Sequence, residues 1–156
     1  MTVLSADPTT VPAASPTGTV VLDPVRHGLV DAAGGSRDLD AMLDEARAAE
    51  RDGATSVVVP TAGAGAPAPR HWPATAQALA VLLATTRVRV VVPLRARAWS
   101  VDAVARFATS ATGLAGDRLV VRVLGAGAEP FATRLRAAWP GTVVVGEADP
   151  ADPVAA

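Results

Sequence analysis

Apolar residues recur along this chain in two alternating patterns, short unbroken runs and longer stripes of helical spacing. The runs lack alternation with polar residues, which is typical of strands covered on both faces. The stripe in residues 36–53 follows the i, i+3, i+4, i+7 rule, with Ser36 or Asp38 placed to cap its start and Gly53 to end it. The pattern predicts strands at 19–22, 56–60, 88–92, 119–124 and 142–145, and helices at 36–53, 74–86, 100–112 and 130–138.

The alternation of strands and helices defines the expected fold class. Successive strands start roughly 30 residues apart, which is the length of one βαβ unit. This spacing favours right-handed crossovers and a parallel sheet in an α/β domain. We expect this domain to span residues 19–148, after a Pro-, Thr- and Ser-rich disordered arm at 1–18 and before a loose tail at 149–156. In such sheets the chemistry lies beyond the carboxyl ends of the strands.

Composition removes several classes of function. The chain has no Cys and two His, which excludes disulfides and thiolate catalysis and leads us to expect no metal site. A net charge of −1 favours neither nucleic acid nor a membrane surface as partner. The start of the chain lacks the basic region of a signal peptide, and no apolar run is long enough for a membrane span. A cytoplasmic location is therefore expected.

The segment VVVPLRARAWS (residues 90–100) raises the first question about a site. A valine run ends at a proline, so Arg95 and Arg97 are expected at the carboxyl end of the sheet. They either bind an anionic group there or form a solvated loop. Arg70 is a second substrate-binding candidate, beside His71, which is a candidate general base or a surface histidine.

Two further features of the rim allow two interpretations each. Arg122 interrupts the fourth strand, and we favour a structural ion pair or a water-exposed barrel interior over a binding role. The segments Gly63-Ala-Gly65 and Gly125-Ala-Gly127 look like phosphate loops, but neither completes G-x-G-x-x-G, so flexible turns are favoured.

Three ordered segments resemble the luciferase-like flavin-dependent monooxygenases, most closely their alkanesulfonate monooxygenase branch. They are DEARAAERDGATSVVVPT at 44–61, TRVRVVVPLR at 86–95 and SVDAVARFATSATGLAGDRLVVRVLG at 100–125. They are similar to the first helix and second strand, the third strand, and the following helix and fourth strand of that family.

The resemblance implies a (β/α)8 barrel that uses reduced flavin to insert oxygen into a small organic molecule. A complete barrel needs about 250 residues, so we expect a partial TIM-type barrel of about five parallel strands and four helices, roughly the first half. The family's pattern makes Arg95, Gly125 and Gly146 candidate binders of FMN or reduced FMN. Arg122 stands where relatives have Asn, and Glu147 follows the fifth strand, where a carboxylate would repel phosphate.

Two functions follow from these expectations. The chain is a truncated flavin-dependent oxidoreductase homologue, active only if another chain completes the barrel, or it is a non-catalytic degenerate subunit or binding module. An open barrel exposes apolar interior residues and two strand edges, which predicts a homo-oligomer or a hetero-partner flavin protein.

Overall fold

The structure is a computed structural model that describes residues 18–22, 37–60 and 72–146. Its elements are β1 (Thr19–Val21), α1 (Arg37–Arg51), β2 (Ser56–Val58), α2 (Ala74–Ala84), β3 (Arg89–Arg95), a 3₁₀ turn (Ala96–Ala98), α3 (Val101–Ala115), β4 (Leu119–Leu124), α4 (Ala128–Ala138) and β5 (Thr142–Val145). The expected disordered arm, apart from Gly18, and the expected loose tail lie outside the described residues.

All five strands are parallel and pair in the order β1-β2-β3-β4-β5, the same as their order in the chain. Because parallel crossovers are right-handed, consecutive strands in this order place every helix on the same side of the sheet. The contacts agree, since α1 packs on α2, α2 on α3 and α3 on α4. The expected class is confirmed: the described residues form an α/β fold with five parallel strands and four helices, as in a partial (β/α)8 barrel.

The core lies between the helix layer and one face of the sheet. Alternate strand residues face the helices and are fully buried, among them Val57, Val90, Val92, Val121 and Val123. They meet small aliphatic side chains from every helix and only two buried aromatics, Phe131 and Trp139. The opposite, concave face is less covered, with Val21 65% and Val144 38% exposed.

The apolar helix α2 packs between α1 and α3. Ala78, Val81 and Leu82 are buried, whereas Leu83 is 60% exposed. Its 11 residues are too few to cross a bilayer. None of the helices in the described ranges combines the length and the apolar character that a membrane span requires.

Two helix ends form as their sequences predict. Ser100 accepts a hydrogen bond from the Ala103 amide (3.2 Å) and caps α3. Gly53 follows α1 in the left-handed region (φ 89°), and the amides of Gly53 and Ala54 donate to the carbonyls of Glu50 and Ala49. This is a Schellman motif, which fixes where α1 stops.

Two prolines do not mark the element boundaries predicted for them. Pro93 lies inside β3, because the β2–β3 pairing has already ended at Val58 opposite Val91 while the β3–β4 pairing continues. Its missing amide therefore interrupts no β2–β3 ladder bond. Pro130 is the third residue of α4, not the first. The N–H groups of the first four helical residues have no partner within the helix, so the missing N–H of Pro130 costs no hydrogen bond there.

The amino-terminal end of the sheet is fastened by Arg118, which immediately precedes β4. Its guanidinium donates to the carbonyls of Leu82, Thr85 and Val88 and to the Thr85 hydroxyl, and its Nε donates to Ala115. These bonds satisfy carbonyls at the ends of α2 and α3 that no helical amide can reach. One side chain thus joins α2, α3 and β4.

We expect Arg118→Lys to lower the free energy of unfolding by about 2–3 kcal/mol, because a lysine ammonium cannot reproduce the planar five-donor pattern. Chemical denaturation measures the loss. The matched control is Arg136→Lys, since Arg136 is exposed and donates a single bond to the Val143 carbonyl (3.0 Å). Equal stability of the two variants would contradict the fastening role.

Glu50 makes a second connection at the same end, between α1 and the segment leading into β3. Its carboxylate accepts from the consecutive backbone amides of Thr86, Arg87 and Val88. Partial burial pushes the pKa of Glu50 upward, but these amide bonds, together with the charge of Arg87, outweigh it and leave the pKa below its usual value. The charged form is therefore the one that stabilises the fold.

Because folding lowers this pKa, the stabilisation is complete above the unfolded-state value of about 4.3 and is lost as the pH falls through the lower folded-state value. We expect Glu50→Gln to cost about 1 kcal/mol at pH 7, since the carboxylate is only partly shielded from water. The difference from wild type should vanish at acidic pH, as measured by urea denaturation across pH 3 to 7. A cost that persists unchanged below about pH 3 would contradict a role for the charge.

Candidate functional site

The carboxyl ends of β3, β4 and β5 bring three of the predicted cofactor residues to one edge of the sheet. Arg95 ends β3 and pairs in register with Leu124, the residue before Gly125. Gly146 follows β5 and its amide donates to the Val123 carbonyl (2.9 Å). Arg95, Gly125 and Gly146 therefore share the carboxyl rim, while their role in binding flavin stays a prediction.

Arg122 is the charged residue of the concave face. It pairs with Pro93 on one side and Val144 on the other, both one position away from helix-facing residues. A Cβ atom built on Gly146 would overlap Nε of Arg122 and lie 3.0 Å from its Cζ. The arginine side chain therefore runs from the middle of β4 toward the rim and covers the backbone of Gly146.

The guanidinium of Arg122 is partly buried and makes no hydrogen bond or ion pair with any residue that the structure describes. Of the two structural roles favoured from the sequence, the ion pair is not formed within these ranges. The other is observed, since Arg122 lies on the concave side of the sheet. In the sequence this position stands out only as an arginine inside the otherwise apolar strand LVVRVL.

Of the remaining candidates, the structure describes only Arg97. Arg97 is exposed in the 3₁₀ turn that follows β3. Arg70, His71 and the Gly63–Gly65 segment lie outside the described residues. Across the ranges that are described, no three His, Cys, Asp or Glu side chains come together as metal ligands would.

The Gly125-Ala-Gly127 segment forms the turn between β4 and α4. Both glycines occupy the left-handed region, at φ 82° and 85°, which residues with a side chain rarely adopt. The Ala128 amide donates back to the Gly125 carbonyl (3.1 Å), and Phe131 donates to Gly127. The segment is a hydrogen-bonded turn that starts α4, and the glycines are explained by its backbone conformation.

Comparison with known proteins agrees with this architecture. No family model matches the sequence, and no curated protein does. Among solved structures, the EDTA monooxygenase from Chelativorans sp. BNC1 superposes with a TM-score of 0.55 and 16% identity, over 76% of this chain and 31% of that chain. At this identity the likeness shows the fold alone, and the chain spans less than a third of that enzyme's length.

The packing of Arg122 on Gly146 can be tested by substitution. We expect Gly146→Ala to destabilise the protein by about 1 kcal/mol, because the new methyl group must displace Arg122 and the Leu124 Cδ2 atom, 2.6 Å from the Cβ position. In an Arg122→Ala background part of this cost should disappear, since one of the two obstructing side chains is gone. Thermal or chemical denaturation of the four proteins gives the coupling.

Gly113→Ala is the matched control, because Gly113 lies within α3 and nothing occupies the space around its Cβ position. There the substitution should stabilise by about 0.5–1 kcal/mol through helix propensity. Strict additivity of the Gly146 and Arg122 substitutions would mean that the two residues do not constrain each other.

Proposed function

We propose that this chain is a luciferase-like flavin-dependent monooxygenase homologue whose flavin site forms when a second polypeptide completes the barrel. The main support is the concave face of the sheet. Its apolar residues are partly exposed, and the side chain of Arg122 runs along it toward the carboxyl rim. The fold likeness to a monooxygenase and the sequence resemblance of residues 44–61, 86–95 and 100–125 support the same class.

Incomplete coverage of the concave face supports the need for more strands. Val21 and Val144 expose 65% and 38% of their surface, and within the described residues β1 and β5 are the unpaired edges of the sheet. An exposed edge and an apolar face both favour association. Strands added at β1 and β5 would bury both features and enclose the rim.

The residues at the rim fit a flavin phosphate by charge. Arg122 supplies a cation with no anionic partner among the described residues. Arg95 is a second arginine at this rim, at the end of β3. A guanidinium binds a phosphate through two parallel hydrogen bonds. Since Arg122 covers Gly146, the phosphate would meet the guanidinium and not the Gly146 backbone. In the family that the sequence resembles, the reduced flavin supplies the electrons for oxygen insertion.

A second function, a non-catalytic degenerate subunit, is favoured by one specific observation. The space over Gly146 is filled by Arg122, a residue that departs from the asparagine of the family pattern. Glu147 adds a carboxylate next in sequence, which opposes a phosphate. Such a subunit would keep the half-barrel as a docking surface for a flavin protein.

Flavin titration with light scattering on the same samples separates the two functions. We expect FMN and anaerobically reduced FMN to bind with micromolar affinity to an oligomer or a hetero-complex, because assembly encloses the rim. Arg122→Gln should weaken that binding about tenfold by removing the phosphate contact. Fluorescence of the free flavin reports binding.

Arg106→Gln is the control variant, since Arg106 is an exposed arginine on α3. Its flavin affinity should equal that of wild type. Absence of binding at about 100 μM flavin in every assembly state, well above typical enzyme KM values, would overturn the flavin proposal and favour the docking subunit. Micromolar binding by a monomer would overturn the need for a second polypeptide.

A further inference from the structure

The guanidinium of Arg122 lies where an anionic partner would stabilise it. It is partly buried on the concave face and makes no hydrogen bond or ion pair with any residue that the structure describes. Its strand neighbours on this face, Pro93 and Val144, carry no charge. Water screens a partly buried cation less than an exposed one, so a nearby carboxylate or phosphate is attracted more strongly. The position therefore favours an anion as its neighbour.

Acidic residues follow this position directly in the chain. Gly146, which Arg122 covers, is the last residue of the described range 72–146. The next residues, EADPAD at 147–152, contain Glu147, Asp149 and Asp152 and no basic residue. We refer to residues 147–152 as the acidic segment. Its charge is opposite to that of Arg122.

The covalent connection keeps the first two of these carboxylates near the guanidinium. The Cζ atom of Arg122 lies 3.0 Å from the Cβ position built on Gly146. Because each residue extends a chain by at most about 3.8 Å, the Cα atom of Glu147 lies within about 4 Å of that of Gly146, and the Cα atom of Asp149 within about 11 Å. A tether this short gives a carboxylate an effective concentration on the order of millimolar or higher. The tethered anion therefore has an advantage over a free anion of equal intrinsic affinity.

We propose that the acidic segment is an internal anion that occupies the Arg122 position, with the carboxylate of Glu147 or Asp149 paired to the guanidinium. An incoming phosphate then has to displace this carboxylate before it can bind Arg122, so the segment is an autoinhibitory contact at the carboxyl rim. Control of flavin binding by this contact rests on the proposed function, whereas the contact itself does not.

The first test follows the Nε–H signal of Arg122 by NMR in the absence of flavin. The signal is assigned by triple-resonance spectra and by its loss in Arg122→Gln. Ion pairing shields this proton from water, so in the double variant Glu147→Gln/Asp149→Asn we expect its exchange with water to become about two- to fivefold faster, the range that a partly exposed ion pair gives. Its chemical shift should change as well.

The matched control is the double variant Asp52→Asn/Asp117→Asn. It makes the same change in net charge at two exposed residues, one following α1 and the other preceding β4, at the opposite end of the sheet. In this variant the Arg122 signal should equal that of wild type. Thermal melts establish that each variant is folded, and the comparison of wild type with the two double variants does not require Arg122→Gln to fold.

The second test uses inorganic phosphate as the incoming anion, titrated at constant ionic strength and followed by the same signal. Phosphate should bind Glu147→Gln/Asp149→Asn about two- to fivefold more tightly than it binds wild type, because no tethered carboxylate has to be displaced. Adding Arg122→Gln to that variant should remove the gain, as measured by the phosphorus resonance. Equal phosphate affinity of wild type and the double variant, including no measurable binding to either, would overturn the autoinhibitory role.

An Arg122 signal that is identical in wild type and Glu147→Gln/Asp149→Asn would overturn the contact itself, and so would an equal change in the control variant. Both tests are free of flavin. If the contact forms and flavin binds in no assembly state, only the proposed function fails. If flavin binds and the Arg122 signal ignores the acidic segment, only this inference fails.

Discussion

The constraint on which the structure depends is the handedness of its crossovers. In the described residues, five parallel strands pair in chain order, which requires each connecting helix to return on the same side. One face of the sheet therefore carries the four described helices and the other carries none of them. The helix-facing valines form the core as a consequence. The same rule leaves Val21, Val144 and Arg122 on the opposite face, which none of the described helices covers.

Stability and candidate chemistry are separated along the strand direction. At the amino end, Arg118 donates hydrogen bonds to carbonyls at the ends of α2 and α3. Glu50 accepts hydrogen bonds from three amides that precede β3. The polar atoms of both side chains are already hydrogen-bonded, mostly to the backbone, so these residues act in stability and not in ligand binding. At the carboxyl end, the guanidinium of Arg122 and the Oε1 atom of Gln77 lack hydrogen-bond partners among the described residues. The barrel fold is known for this division, with stabilising residues at the amino face and reactive ones at the carboxyl face.

The elements follow from the sequence more directly than the contacts between distant residues do, for a physical reason. Hydrophobic periodicity and capping are local, so LVVRVL, the Ser100 cap and the Gly53 terminus were all evident from neighbouring residues. Pro93 was misplaced because its tolerance inside β3 depends on where β2 stops, a fact of another strand. The contact of Arg122 with Gly146 and the orphan oxygen of Gln77 arise between residues distant in the chain. No spacing rule encodes them, and residues such as Arg70 and His71 lie outside the described structure.

The contact between Arg122 and Gly146 also bears on how this chain can change over generations. With Arg122 and Leu124 lying against the glycine, any side chain at 146 is penalised, and a smaller residue at 122 removes part of that penalty. The reverse step, shortening position 122 while 146 remains glycine, meets no such obstacle. A shorter residue at 122 therefore makes a later substitution at 146 less costly, whereas the opposite order meets the full cost.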